Sequence, residues 1–449
     1  MTLETVPDTT LQYYLINFDA SGAERDEPDG SKISQTVLQV LAQDAITDVF
    51  IFSHGWNGDI PAARNQYNRW IKAMANNTVD IERMQQRRPG YKPLLIGLHW
   101  PSLPWGNEKI EARTEAEVLA GMTSHYARQL MDAPSETAKS ALDTIFTAAL
   151  EDMEPDELSE PVLEAYATLN QEAEIGNEGA AAAPGEDRDP FDPEQIYEES
   201  EEIEAEILGE GADFGILEGV GFILNRVFAP LRALSFWKMK ARARTFGEST
   251  GFELLTQLQQ ATSEQVRFHL MGHSMGCIVM SAALAGPKAQ GSLPRPVNSL
   301  ALIQGALSLW SYCADIPKAP GKTGYFYPVI RDRQVAGPII TTVSEHDMAV
   351  GKLYPLASGV VLSEVDLDDD FPKYGAVGSF GIQGSGIPLN NMEMLPCDQD
   401  YSFERGQIYN LESSRYIAKK PPEAGLAGAH GEFDEPEVAH AVWSAAMVD

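Results

Sequence analysis

The sequence predicts an α/β protein: a mostly parallel central sheet with helices on both faces, interrupted by a large acidic and partly helical insertion. Three observations carry this prediction. Short apolar runs rich in β-branched residues alternate with stretches of helical periodicity. One of those runs passes through a Gly-His-Ser-Met-Gly turn straight into an apolar helix. Most of the excess negative charge lies in one segment between two groups of strands.

The strands are expected at residues 11–18, 48–53, 93–100, 266–272, 297–303, 339–343 and 407–411. Helical periodicity falls between them, at 62–75, 251–260 and 277–284. Parallel strands need crossover connections of this kind, so the alternation argues for a parallel sheet covered on both sides.

The fourth of these strands delivers Gly272-His273-Ser274-Met275-Gly276 and leaves as a helix. In that context G-x-S-x-G forms a tight turn that exposes a serine hydroxyl at the carboxyl edge of a sheet. The glycines remove Cβ atoms that would strike neighbouring backbone. Ser274 is therefore the candidate nucleophile, and the N–H of Met275, at the start of the helix, is one candidate donor to an oxyanion. The second donor is expected on the loop after the strand 48–53, where His54-Gly55-Trp56-Asn57-Gly58 follows. The N–H of Trp56 is assigned, with Asn57 as its neighbour.

An acid is expected past the strand 339–343, in Ser344-Glu345-His346-Asp347. Asp347 is preferred to Glu345 because an apolar element begins directly behind it. The base is expected on the loop between the last strand and the last helix, where His430 stands. His440 competes, but it lies inside that helix and reads as a packing or surface residue. No histidine pair has metal-ligand spacing on a helix face, and the chemistry needs neither metal nor organic cofactor. The acidic run Asp366, Asp368, Asp369, Asp370 lacks the spacing of a calcium loop.

The chain order Ser274, Asp347, His430 is that of the α/β-hydrolases. With His54-Gly55-Trp56 and Gly272-His273-Ser274-Met275-Gly276, the chain resembles that superfamily, close to bacterial serine-esterase and lipase-like families. The resemblance covers about residues 10–106 and 235–449. It implies an α/β-hydrolase core over 1–106 and 235–449, and a serine hydrolase that cleaves carboxylic esters. Candidate pocket residues are His54, Asn57, His273, Trp100, Phe236 and Trp237. A phospholipase, thioesterase or acyltransferase on the same residues is the alternative within hydrolases. A non-catalytic scaffold that recruits a partner is the alternative outside them.

Residues 107–234 form the expected insertion. Between 151 and 213 there are 23 Asp or Glu against one basic residue, Arg188, which is two thirds of the net charge of −33. Such composition predicts a poorly ordered stretch over 151–212 with two helical pieces, 159–172 and 193–208, whose removal leaves the core folded. It reads as a solvated spacer, with a protein-binding arm as the alternative, and its acidity argues against a nucleic-acid partner. The apolar segment 213–234, followed by Lys238, Lys240, Arg242 and Arg244, reads as a buried helix whose cations meet the acidic residues, as a lid, or as a peripheral membrane contact. The substrate expected is a small ester or a lipid-like molecule. No apolar run is long enough to span a bilayer. Three isolated cysteines, Cys277, Cys313 and Cys397, suit a reducing cytoplasm, where the protein is expected.

Overall fold

In a computed structural model, residues 3–56, 59–102, 115–131, 133–152, 155–208, 226–358, 371–419 and 428–448 are described. They divide into two units. The first comprises 1–103, 242–351 and 375–449; the second comprises 104–241 and 352–374.

The first unit holds a sheet of nine strands among the described residues: β1 (Leu3–Thr5), β2 (Gln12–Asn17), β3 (Asp48–Ser53), β4 (Pro93–His99), β5 (Arg267–His273), β6 (Ser299–Ile303), β7 (Ile339–Val343), β8 (Leu389–Glu393) and β9 (Ile408–Glu412). Their order is β1-β2-β4-β3-β5-β6-β7-β9-β8. All pairings are parallel except β1 with β2. The central strands β3 and β6 are buried at every residue, which is why they read as unbroken apolar runs rather than alternating ones. The chain is thus an α/β protein with a mostly parallel sheet. Aromatic residues fill one side of it, where Phe50, Phe52, Tyr67, Trp70, Phe433 and Trp443 form part of a buried cluster.

Two strands escaped the sequence reading. β1 has three residues, too few for a period to show. β8 reads Leu-Asn-Asn-Met-Glu and is exposed at three of five positions, as its place at the sheet edge permits.

The second unit corrects the expectation of poor order. Helices span Glu136–Glu151, Glu160–Glu172 and Pro193–Leu208. Val162, Ala165, Tyr166 and Leu169 recur at helical spacing and join Leu142, Ile145, Phe146 and Tyr197 in one buried cluster. Acidic residues such as Asp156, Glu157, Glu160 and Glu164 occupy the exposed positions between them. The segment is acidic by composition yet amphipathic by pattern, so deleting it would strip apolar side chains from a core.

The expected limits of the insertion, 107–234, also shift. No boundary falls at 235, because a helix runs unbroken over Ala229–Phe246. Of the lid-like segment, Val227, Phe228, Leu231 and Leu234 lie in the same buried cluster, and residues 209–225 fall outside the described residues. So do Asp366, Asp368, Asp369 and Asp370. Arg188, the one basic residue of the acidic stretch, is buried and donates to the carbonyl of Gly176 and the side chain of Asn170. Lys240 is fully buried against Asp187 at 2.8 Å and Tyr354 at 2.6 Å, under the ring of Trp237. Burial pulls its ammonium down to about 8, against the pull of Asp187. Among the described residues no helix is long and apolar enough to cross a membrane.

Asp187→Asn leaves the buried Lys240 ammonium without its counter-charge and is expected to cost about 3–5 kcal/mol. The double change Asp187→Asn with Lys240→Met recovers most of that loss. Urea unfolding of the three proteins checks both; equal stability of wild type and Asp187→Asn would show that the pair contributes nothing.

Candidate active site

Strand β5 ends at His273, and the following helix spans Gly276–Ala285. Between them Ser274 adopts φ +56°. A non-glycine residue in this left-handed region costs about 1–3 kcal/mol and persists only where its surroundings hold it. They do. The Ser274 N–H donates to the Ile303 carbonyl at 3.0 Å, and its carbonyl accepts from Cys277 and Ala306, both at 3.1 Å. The glycines are needed for close approach. A Cβ on Gly272 would lie 2.5 Å from the Gly276 carbonyl oxygen, and one on Gly276 would strike the carbonyl of Ser53. Cys277 is fully buried and faces inward, its thiol against the Gly272 carbonyl.

The loop after β3 meets this turn. A Cβ on Gly55 would fall 2.8 Å from Ser274 Cβ. The His54 N–H donates to the Tyr67 hydroxyl at 3.0 Å, and the His54 carbonyl accepts from the Trp100 indole at 2.8 Å. The His54 ring donates from Nδ1 to the Gly55 carbonyl and stacks on Trp100. Burial, aided by His99, drives its pKa down to about 3, so it is neutral. His54 and Trp100 are both fully buried and act as supports of the loop. Trp56 is half-buried, directly after Gly55. Asn57 falls outside the described residues. Met275 immediately precedes the helix, with helical backbone angles.

Asp347 lies past β7 and is fully buried, whereas Glu345 is exposed. His430 lies between β9 and the final helix, Pro436–Ala446. His430 Nε2 is 2.8 Å from Ser274 Oγ. Its Nδ1 is 2.9 Å from both carboxylate oxygens of Asp347. The structure therefore brings Ser274, His430 and Asp347 into one hydrogen-bonded series. Nε2 is placed to take the serine proton, and the carboxylate is placed to hold the imidazole and stabilise its charged form.

His273, a candidate for the pocket, packs beside His430, their ring centroids 5.0 Å apart. Its Nε2 donates to the His430 carbonyl at 2.9 Å. Burial and the nearby His430 push it down to about 3, which keeps it a neutral donor. Phe236 and Trp237 belong to the second unit, where both rings pack edge-on against Tyr354. His440 is buried in the final helix between Asp80, at 2.8 Å, and the Gln399 carbonyl.

Sequence reasoning missed Gln304 and Arg69. Gln304 Nε2 donates to Asp347 Oδ2 and to the Ala429 carbonyl, both at 2.9 Å. Its signal was a lone amide at the end of the apolar run 297–303. Arg69 donates to the Gly431 carbonyl and pairs with Asp434. A second serine, histidine and aspartate series, Ser299–His269–Asp48, sits at the opposite, amino ends of β6, β5 and β3, with Arg88 on the aspartate. It is buried and has no left-handed serine. Among the described residues no cluster of His, Cys, Asp or Glu is arranged to hold a metal. Comparison of the chain with family models, curated proteins and solved structures returns no match.

Gly276→Ala forces the turn away from the Ser53 and His54 carbonyls and is expected to lose about 1–3 kcal/mol or more. A melting temperature equal to wild type would contradict that crowding. For His440, burial favours the neutral form, but the hydrogen bonds to Asp80 and the Gln399 carbonyl together with the Asp80 charge outweigh it, and the pKa is raised. Its contribution is then full below the unfolded value near 6.5 and lost as pH rises through the folded value. The stability gap between wild type and His440→Gln should narrow from about pH 5 to about pH 8. A gap independent of pH in urea titrations would rule the ion pair out.

Proposed function

We propose that the first unit is an α/β-hydrolase that cleaves carboxylic esters with Ser274 as nucleophile. The observation that carries this reading is the unbroken series Ser274–His430–Asp347, built on a serine held at φ +56° between a strand and a helix. Residues held in such sparsely populated backbone regions cluster at active sites.

In this reading His430 Nε2 takes the Ser274 proton as Oγ attacks the ester carbonyl. Asp347 keeps the proton of the neutral imidazole on Nδ1 and stabilises the imidazolium that forms. The N–H groups of Met275 and Trp56 receive the oxyanion, and each such donor contributes about 3 kcal/mol. His430 then passes its proton to the leaving alcohol. Water attacks the acyl-enzyme through the same residues and returns the serine. Every proton moved belongs to substrate, water, Ser274 or His430, so the cycle closes without a cofactor.

Support for ester over amide substrates is chemical: an alcohol leaves more readily than an amine from the same intermediate. The acyl and alcohol moieties are best sized with p-nitrophenyl esters of two to sixteen carbons. Wild type should turn them over, and Ser274→Ala should lose at least about 10⁴-fold in kcat. A fluorophosphonate should label Ser274 and leave Ser299 untouched. Absence of both turnover and labelling in folded wild-type protein would overturn the proposal.

A further inference from the structure

We infer that Gln304 is a positioning residue that locks the acid to the base at this site. The inference rests on the hydrolase reading above and adds to it a residue that none of the motifs contains.

His430 lies among turns between β9 and the final helix, and its partner Asp347 is 83 residues away in the chain. Their relative position must come from long-range ties. Gln304 supplies the central one. Its single amide nitrogen donates one hydrogen to Asp347 Oδ2 and the other to the Ala429 carbonyl, each at 2.9 Å. One planar group thus spans the acid and the peptide that precedes the base. Gln304 is itself fully buried and fixed. It follows β6 directly, adopts φ +49°, and donates its N–H to the Thr342 hydroxyl at 2.9 Å. Two further ties complete the clamp. Ala429 N–H donates to the His346 carbonyl at 2.9 Å, and His273 Nε2 donates to the His430 carbonyl at 2.9 Å. The consecutive carbonyls of Ala429 and His430 are both held by side chains from the ends of neighbouring strands, β6 and β5.

The chemistry requires an amide at 304. Both of its contacts through Nε2 are acceptors, so the residue must supply two hydrogens there. A carboxylate in its place would face Asp347 and repel it. The amide also draws charge toward Oδ2, which tempers how strongly Asp347 stabilises the His430 imidazolium.

The test compares Gln304→Met, which keeps the volume without the hydrogen bonds, and Gln304→Glu, which keeps the shape but reverses the charge logic. Both are assayed as full-length chains by ester hydrolysis across pH. We expect kcat to fall roughly 10–100-fold in both, with KM changed less than threefold. The acid limb of the kcat/KM profile should move to higher pH in both, and further in Gln304→Glu, because added negative charge favours the imidazolium. Retained kcat and an unmoved acid limb in cooperatively folding Gln304→Met would overturn the inference. An equal loss in kcat and melting temperature with no shift of the limb would also overturn it, since that is the mark of a merely structural residue. Should Gln304→Met fail to fold, the limb shift of Gln304→Glu decides alone. Wild type without turnover would instead defeat the hydrolase reading, so the two failures are distinguishable.

Discussion

The site depends on the backbone of Ser274. Its left-handed conformation is held from three directions: the amide by Ile303, the carbonyl by Cys277 and Ala306. Those partners come from β6, the helix Gly276–Ala285 that follows the sharp elbow at Ser274, and the loop after β6. The conformation therefore exists only once β5 and β6 are in register and the helix has begun. The reverse also holds. With Gly276 pressed on the Ser53 and His54 carbonyls, the turn fixes how closely the β3 loop approaches. One strained residue thereby couples three neighbouring strand ends, and none of them can shift without releasing the hydroxyl from its direction.

Sheet order does the rest. Reading outward from the centre, the strands run β5, β6, β7, β9. Ser274 follows β5, Gln304 follows β6, Asp347 lies past β7 and His430 past β9. Because these strands are parallel, their carboxyl ends share one edge, and four residues scattered over more than a third of the chain become neighbours in the order of their strands. The acid and base meet across the β7–β9 pair, and a separate antiparallel bridge between Asp347 and Gly428 ties their two loops together. The Ser299–His269–Asp48 series makes the contrast. It has the same residue types on β6, β5 and β3, but at the amino ends, where no helix begins and Arg88 already occupies the carboxylate.

How much of this was legible follows from the range of the forces involved. Strands buried on both faces announce themselves as apolar runs, and the elbow is a local steric problem that only certain residues solve, so both could be read directly. Asp347 could be preferred to Glu345 because an apolar element follows it. Gln304 could not be assigned a task, since an amide after a strand has no pattern of its own and its two acceptors lie 43 and 125 residues away. His273 concealed its partner for a related reason. Its position in the motif suggests the pocket, while a carbonyl brought from 157 residues downstream decides where its proton points. The acidic stretch misled through composition, which averages over a helix and hides the face that is buried.

That burial changes what the charge of the second unit means. Of the cations that could balance its acidic residues, Arg188 and Lys240 are buried, and Lys238 reaches the Ala173 carbonyl. Arg188 meets neutral oxygens there and Lys240 meets Asp187. Asp156, Glu157, Glu160, Glu164, Glu174 and Glu178 remain exposed. Arg188 and Lys240 thus serve internal contacts, while these carboxylates face water. Within the basic run 238–244, Lys240 is sealed beneath Trp237 and Tyr354, while Lys238, Arg242 and Arg244 are partly exposed. The run therefore offers one cation fewer to an anionic surface than its sequence suggests.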